Sequence, residues 1–240
     1  MRESRRRLSL RGAGPLALAA ALACAGAGSY DAALRRGEMA LAVGDAEHAE
    51  GAYREALSAR PRDPGALLGL ARTYMAREDH EAALEIFAGL ELAAPGVFAE
   101  ARADHLLALE RAAAGRLERG DPAGALRLLR RLADRDPGRA GIDLRLREAM
   151  LAEGGRLLLA GRPDAAEELF LEVLEDQPDA VEAILGLAQA LLERGRVDEA
   201  IRLLSDASVR HPEDARIEDL MDRAIEIRYP SQPARRSTSR

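Results

Sequence analysis

Residues 64–97 read PGALLGLARTYMAREDHEAALEIFAGLELAAPGV and carry the clearest structural pattern in the chain. Two apolar runs with helical spacing flank a short polar break. Small residues at Ala71 and Ala83 allow two antiparallel helices to approach closely, and the aromatic Phe87 fills the space beside them. Pro95 then ends the second helix, because proline lacks the N–H that a helix interior requires. The stretch therefore predicts a helix-turn-helix hairpin.

The same pattern recurs five times along the chain. Each repeat ends in a proline, and successive prolines are 34, 42, 41 and 34 residues apart: Pro61, Pro95, Pro137, Pro178 and Pro212. An alanine stands twelve residues before each proline: Ala49, Ala83, Ala125, Ala166 and Ala200. A bulky apolar residue stands eight residues before each proline: Tyr53, Phe87, Leu129, Phe170 and Leu204. Because five copies agree, we interpret these as the packing positions of a helical repeat.

The turn inside each hairpin has signals of its own. A glycine seventeen residues before four of the five prolines suits the left-handed cap of a first helix, and Glu78 replaces it in the second repeat. Asp45, Asp79 and Asp121 follow as N-cap candidates of second helices. A small residue stands twenty-four residues before each proline: Gly37, Ala71, Ala113, Gly154 and Ala188.

In its order of small, aromatic, small and proline positions, the pattern resembles the tetratricopeptide repeat, whose unit is 34 residues. The resemblance covers about residues 30–212 and is clearest at residues 64–97, although the family's usual tryptophan is absent throughout. It implies an all-α fold, a right-handed α-solenoid of five helix-turn-helix repeats with a C-terminal capping helix. The implied repeats and cap are residues 30–63, 64–97, 98–139, 140–180, 181–214 and 213–228.

Two repeats exceed 34 residues by eight and seven residues, which is about two helical turns each. Residues 97–119 and 139–160 contain no proline and keep an apolar stripe. This pattern predicts extended first helices in repeats three and four. The alternative is that each insertion is a loop, although two loops of similar length that are both rich in helix formers would be unusual.

The N-terminal segment has the pattern of an export signal. Five arginines among the first fourteen residues precede an alanine-rich apolar run that is too short to span a bilayer. The run ends in Ala21-Leu22-Ala23-Cys24, which resembles the bacterial lipoprotein box, where the cysteine is lipidated. We therefore expect residues 1–23 to be a signal peptide, Cys24 to be the lipidation site and residues 24–29 to be a linker. Ordinary signal cleavage and no export at all are the alternatives.

Composition excludes several kinds of chemistry. The chain has no lysine and no asparagine, which excludes Schiff-base chemistry, the Gly-Lys phosphate-binding loop and N-glycosylation. Cys24 is the only cysteine, so an internal disulfide and a thiolate zinc site are excluded as well. The four histidines are far apart in sequence and no catalytic constellation is visible. We expect no metal, no cofactor and no enzymatic activity.

The charge balance bears on partners. Residues 1–23 carry five arginines and one glutamate, so their removal changes the net charge from −6 to −10. An acidic chain without a basic stripe is a poor candidate for nucleic-acid binding. Residues 229–240 combine two prolines and three arginines with serine and threonine, and we expect them to form a disordered tail.

The concave face of such a solenoid, built from the first helices, is the surface left for binding. Its candidate residues are Leu34, Arg35, Glu38, Leu41, Leu68, Arg72, Met75, Leu107, Glu110, Arg111, Leu117, Leu151, Gly155, Leu158, Leu185, Gln189 and Leu192. An apolar face with a few charges suggests a groove for an amphipathic helix or an extended peptide. The alternative is that curvature buries these leucines against each other.

The family resemblance also limits the ligand. Members that bind chaperone tails clamp a peptide carboxylate with lysine and asparagine, and this chain has neither residue. Arg35, Arg72 and Arg111 remain as groups that can pair with an acidic partner.

These observations predict a non-catalytic scaffold for protein–protein interaction that binds a protein or peptide in the groove. We expect it to be lipid-anchored through Cys24 at the outer membrane of a bacterial cell envelope, on the periplasmic side. Its expected role is the assembly of a membrane or secretion complex. The alternatives are a cytoplasmic adaptor and a non-catalytic partner of an enzyme.

Overall fold

A computed structural model describes residues 15–230, with side chains from residue 28 onward. This part of the chain is all-helical, which confirms the fold class expected from the sequence. Its helices are α1 (Pro15–Ala42), α2 (Ala46–Ala59), α3 (Pro64–Ala76), α4 (His80–Ala93), α5 (Pro95–Glu100), α6 (Arg102–Glu118), α7 (Pro122–Arg135), α8 (Ile142–Leu159), α9 (Pro163–Asp176), α10 (Val181–Glu193), α11 (Val197–Arg210) and α12 (Ala215–Arg228).

The repeat signals correspond to the helix ends. Each second helix, which is α2, α4, α7, α9 or α11, ends two residues before a repeat-ending proline. The Oδ1 atoms of Asp45, Asp79 and Asp121 accept backbone N–H bonds of 3.1, 3.2 and 2.8 Å at the starts of α2, α4 and α7. The residues with positive φ that end first helices are Gly44, Glu78, Gly120, Gly161 and Gly195. Among the described residues, Glu78 is the only non-glycine with positive φ, at 61°.

The packing positions lie in the interior. The alanines twelve residues before the prolines are all fully buried: Ala49, Ala83, Ala125, Ala166 and Ala200. The bulky residues eight before them are at most 3% exposed: Tyr53, Phe87, Leu129, Phe170 and Leu204. The prolines themselves are exposed, since they lie in the turns between repeats.

Both long repeats have extended first helices, as the sequence predicted, but in repeat three the added helix is interrupted by a turn. First helices α3 and α10 have 13 residues each, whereas α6 has 17 and α8 has 18. In repeat three the remaining extra residues form the short helix α5, which is separated from α6 by a turn at the buried Ala101. In repeat four the residues before α8 form turns that end at Gly141, whose φ is 77°.

The chain divides into two compact units within α6, after Arg111. In the first unit, α3 packs against α1, α2, α4 and α5. In the second unit, α8 packs against α7, α9 and α10, and α10 also packs against α9, α11 and α12. Helix α12 covers the last repeat with the buried residues Ile217, Leu220 and Ala224.

Tyr30 of α1 packs against α2 and α3. Its side chain is 5% exposed and packs against Ala33, Ala56 and Ala66. The guanidinium of Arg60 lies 3.9 Å from the ring centroid, a cation–π contact. Burial raises the pKa of Tyr30, and a hydrogen bond with Asp63, the N-cap of α3, raises that pKa further.

Several expectations concern the two ends of the chain. Residues 1–14 and 231–240, which include most of the expected signal peptide and of the expected tail, lie outside the described residues. Residues 24–29, expected as a linker, lie within α1, and the side chain of Cys24 is outside the description. Among the described helices, none combines the length and the apolar character needed to cross a bilayer.

Candidate functional site

A cavity of about 450 Å³ lies between the first three helices of the first unit. Helix α1 contributes Glu38, Leu41 and Ala42 to its lining, and α2 contributes Tyr53. Helix α3 contributes the other lining residues, which are Gly65, Leu68, Gly69 and Arg72. The cavity thus combines leucine surface, backbone at glycines, and polar groups from three helices.

Two glycines place Tyr53 at the base of this cavity. A Cβ atom added at Gly37 of α1 would lie 2.9 Å from Cε1 of the Tyr53 ring, and one added at Gly69 of α3 would overlap the ring more severely. The ring therefore occupies the space that side chains would fill at both positions. Because α1 and α3 contact this ring at glycines, both helices lie close to α2.

Glu38 and Arg72 give the cavity its charge. Glu38 is exposed and forms no ion pair with any described residue. Arg72, in contrast, is already engaged, because its Nε atom donates a 2.8 Å hydrogen bond to Oδ2 of Asp104 on α6. Burial raises the pKa of Tyr53, the negative charge of Glu38 raises it further, and the positive charge of Arg72 lowers it. Both charges therefore act on the Tyr53 hydroxyl.

The second unit contains the same packing 117 residues later. Phe170 takes the position of Tyr53, and its ring lies against Gly154 and Gly186, which correspond to Gly37 and Gly69. A Cβ added at Gly154 would lie 2.6 Å from Cζ of Phe170, and one added at Gly186 would be closer still. The polar groups differ, because Glu38 and Arg72 correspond to Gly155 and Gln189. The second site thus repeats the core without the charges.

The expected groove residues differ in exposure. Those that are exposed are Arg35, Glu38, Arg72, Leu107, Arg111 and Gln189. Those that are half-buried are Leu34, Leu41, Met75, Glu110, Leu117, Leu151, Gly155, Leu185 and Leu192. Leu68 and Leu158 are buried, at 8% and 9% exposure. The cavity brings Glu38, Leu41, Leu68 and Arg72 together.

Sequence reasoning did not identify Gly69 and Gly186 as packing residues. Both lie inside first helices, sixteen residues after an aromatic ring, where glycine is unfavourable unless close packing requires it. That spacing in two repeats was the available signal. Arg72 was expected to face an acidic partner, but the structure shows it paired with Asp104 of the same chain.

The histidines take separate places. His48 Nδ1 lies 2.7 Å from Asp45 Oδ2 near the start of α2, and this pairing raises the pKa of His48. His105 is buried, with its ring centroid 5.6 Å from that of Phe87 and 5.1 Å from that of Phe98. Within the described residues, no group of three or more histidine, cysteine or acidic side chains is placed to hold a metal ion.

Paired helices that recur with buried alanines, capped turns and terminal prolines define a helical-repeat protein. The chain belongs to the tetratricopeptide repeat family, since the model of that family, described as Tetratricopeptide repeat, matches residues 40–109 and 157–224. The family consists of helical scaffolds for protein–protein interaction that are in general not enzymes. The two matched segments begin 117 residues apart, the same interval that separates Tyr53 from Phe170.

Solved structures of similar proteins include a thermophilic tetratricopeptide repeat protein of Thermus thermophilus, 27% identical over 82% of this chain and 98% of that one, with a TM-score of 0.33. A repeat protein of Bacteroides fragilis is 15% identical over 82% and 98% of the two chains, with a TM-score of 0.49. YrrB, described as having an unusual peptide-binding site, is 18% identical over 79% and 90%, with a TM-score of 0.37. No curated protein gives a significant match.

Proposed function

We propose that the chain is a scaffold that binds a partner peptide or protein segment at the cavity between α1, α2 and α3. The observation that carries this proposal is the cavity itself, in which leucine surface, glycine backbone and an unpaired carboxylate meet. Ligand sites in proteins are concave, largely apolar and supplied with a few polar groups that orient the ligand. An extended segment or a helix that lies along α1 and α3 would insert one side chain here.

The proposed place of action is the bacterial cell envelope, with Cys24 lipidated and the protein held at the outer membrane on its periplasmic side. The arginine-rich start, the short apolar run and the single cysteine at its end support this part of the proposal. The proposed role there is to help assemble a membrane or secretion complex. The net charge of −10 that remains after removal of residues 1–23 supports a protein partner rather than nucleic acid.

A second candidate is a cytoplasmic adaptor, or a non-catalytic partner of an enzyme, that keeps its N-terminal segment. The observation that favours it is the continuity of α1, which extends from Pro15 through residues 24–29 to Ala42. Residues 1–23 are removed in the first candidate and retained in the second, so the mass of the purified protein can distinguish them.

Fractionation of a bacterium that expresses the wild type and Cys24→Ala tests the location. Lipidation predicts wild-type protein in the membrane fraction with the mass of a processed, acylated chain, and Cys24→Ala unprocessed or released. Soluble wild-type protein with the mass of the full chain would contradict the anchor and favour the adaptor.

Selection from a random dodecapeptide library tests binding at the cavity. The blocking variant is Gly65→Phe, since Gly65 is exposed and a Cβ there meets only Asp63 Oδ1, at 3.3 Å. The matched control is Gly89→Phe, at an exposed glycine of α4 with nothing within 4 Å of an added Cβ. Selected peptides should bind the wild type and Gly89→Phe but not Gly65→Phe. Equal binding to all three would place the site elsewhere, and the absence of any selected peptide would contradict the proposed function.

A further inference from the structure

We infer that the cavity between α1, α2 and α3 is a pocket for a cationic side chain, a lysine ammonium or an arginine guanidinium, with the Glu38 carboxylate as counter-ion. The inference rests on the proposed function, because it names the chemistry of the partner at the same site. It reverses the preference for an acidic partner that the arginines of the predicted groove suggested.

The charges around the cavity favour a cation. Among the described residues, the only cation in the cavity lining is Arg72, and the Asp104 carboxylate already occupies its Nε atom at 2.8 Å. Glu38 has no ion-pair partner in the part of the chain that the structure describes. Two carboxylates therefore stand against one guanidinium at this site. An entering cation would pair with Glu38, whereas an entering carboxylate would lie beside Glu38 and compete with Asp104 for Arg72.

The shape and lining of the cavity suit a long side chain with a charged end. Lysine and arginine carry an apolar stem that packs against hydrophobic surface while the charged end stays near polar groups. Leu41 and Leu68 line the cavity with apolar atoms, and Tyr53, which is 2% exposed, also lines it. A volume of about 450 Å³ is in the lower part of the usual range for ligand sites, about 300–1,000 Å³, and suits one long side chain with its adjacent backbone.

The second unit shows what the site is like without these groups. At the equivalent positions Gly155 replaces Glu38, Phe170 replaces Tyr53 and Gln189 replaces Arg72. The counterpart of Gly65 is Glu182, which faces Arg216 at 3.4 Å. The protein therefore contains its own control, a site with the same core and no unpaired carboxylate at the position of Glu38.

NMR titration with two cationic probes, butylammonium and propylguanidinium, tests the pocket directly at constant ionic strength. The matched probes butyrate and butan-1-ol have similar stems but no positive charge. The cations should shift the backbone amide signals of Gly65, Leu68 and Gly69 in a saturable way, and butyrate and butan-1-ol should not. The amides of Gly154 and Gly186 should stay unshifted.

Glu38→Gln should weaken the binding of both cations by about tenfold, as expected for loss of one charge-assisted hydrogen bond. The matched control is Glu85→Gln, which removes an exposed carboxylate of α4 outside the cavity and should leave binding unchanged. Equal binding to the wild type and Glu38→Gln would overturn the inference. Binding of butyrate as strong as that of butylammonium would overturn it as well.

The peptide library separates this inference from the proposed function. Peptides selected on the wild type should carry lysine or arginine at one fixed position, and selection on Glu38→Gln should lose that preference. Peptides that bind at the cavity without a basic residue would uphold the function and overturn the inference. Saturable cation binding without any selected peptide would uphold the pocket chemistry and contradict the function.

Discussion

The Tyr53 site of the first unit and the Phe170 site of the second share a core but differ at their surface. Each ring lies against one glycine of its own repeat and one of the next, and each pair of glycines is 32 residues apart. Around Tyr53 the surface positions carry Glu38 and Arg72, whereas around Phe170 the same positions carry Gly155 and Gln189. The two sites thus share the ring and its two glycines, and they differ in the charges at the surface positions.

Both units contain an equivalent ion pair between successive repeats. Glu50 of α2 pairs with Arg77 at the end of α3, and Glu167 of α9 pairs with Arg194 at the end of α10. Both glutamate side chains are largely buried, at 10% and 12% exposure. Each has a second arginine, at 2.6 Å for Arg54 and 2.7 Å for Arg196, but these two come from different positions of the repeat. The ion pair between successive repeats is therefore the same in both units, whereas the second arginine differs.

Removal of the rings should have the largest effect and should be equal in the two units. Tyr53→Ala and Phe170→Ala should each lower the free energy of unfolding by about 3–5 kcal/mol, because each leaves a cavity in a buried core. Urea denaturation followed by circular dichroism measures the loss, and hydrogen exchange locates it in α1–α3 or α8–α10. Tyr53→Phe is the control and should cost less than about 1 kcal/mol, since the ring remains. A small loss of free energy of unfolding in only one of the two variants would show that the two rings are not equivalent.

Filling the glycine positions should have the next largest effect. Gly69→Ala and Gly186→Ala should each cost about 1–3 kcal/mol, because the new methyl carbon would lie 2.2 or 2.3 Å from a carbon of a buried ring. Gly51→Ala is the matched control within α2, where nothing lies within 4 Å of an added Cβ. It should raise stability by about 0.5–1 kcal/mol through the helix propensity of alanine. Melting temperatures of the three variants check the contrast, and tolerance of Gly186→Ala alone would show a looser second core.

The shared ion pair should have a smaller effect. Arg77→Ala and Arg194→Ala should each cost about 1–2 kcal/mol, since each leaves a largely buried carboxylate with one partner fewer. Arg36→Ala removes an exposed pair with Glu55 and should cost about 0–1 kcal/mol. Equilibrium unfolding in low salt measures all three variants. If Arg36→Ala lowered the free energy of unfolding as much as the other two variants, burial of the glutamates would not explain the stabilisation.

The smallest expected effect is at the turn that ends a first helix. Glu78→Gly should raise the free energy of unfolding by about 0.5 kcal/mol, because a side chain is unfavourable at positive φ. The equivalent position in the second unit is Gly195, and Gly195→Glu should lower stability by a similar amount. Thermal melts should show the melting temperatures of the two variants shifted in opposite directions. Shifts in the same direction would contradict it.

The fold was accessible from the sequence because its signals are periodic. Ala49, Phe87 and the repeat-ending prolines recur at fixed distances, and an aspartate N-cap such as Asp121 satisfies backbone donors by a local rule. The cavity was not accessible in the same way. Its lining depends on the close approach of Gly69 to Tyr53, and its charge depends on the pairing of Arg72 with Asp104, 32 residues away. Such contacts follow from three-dimensional packing and not from spacing.

Repeat three shows a second limit. The absence of proline and the apolar stripe after Pro95 indicated one long helix, but the chain turns at Ala101 between α5 and α6. Pro95 lies only two residues beyond the end of α4, so the short helix α5 starts directly at the repeat boundary. The buried Ala101 then lies between two helices that periodicity alone could not separate.

The contacts of Tyr30 with Arg60 and Asp63 limit the distance between Cys24 and the cavity. Cys24 is six residues before Tyr30, which is at most about 20 Å of extended chain, and Glu38 is eight residues after it, about 12 Å along α1. In a chain acylated at Cys24, the pocket would therefore stay within about 30 Å of the bilayer surface. So short a connection would confine a lipidated chain to a thin layer above the membrane, and would raise the effective concentration of any partner located there.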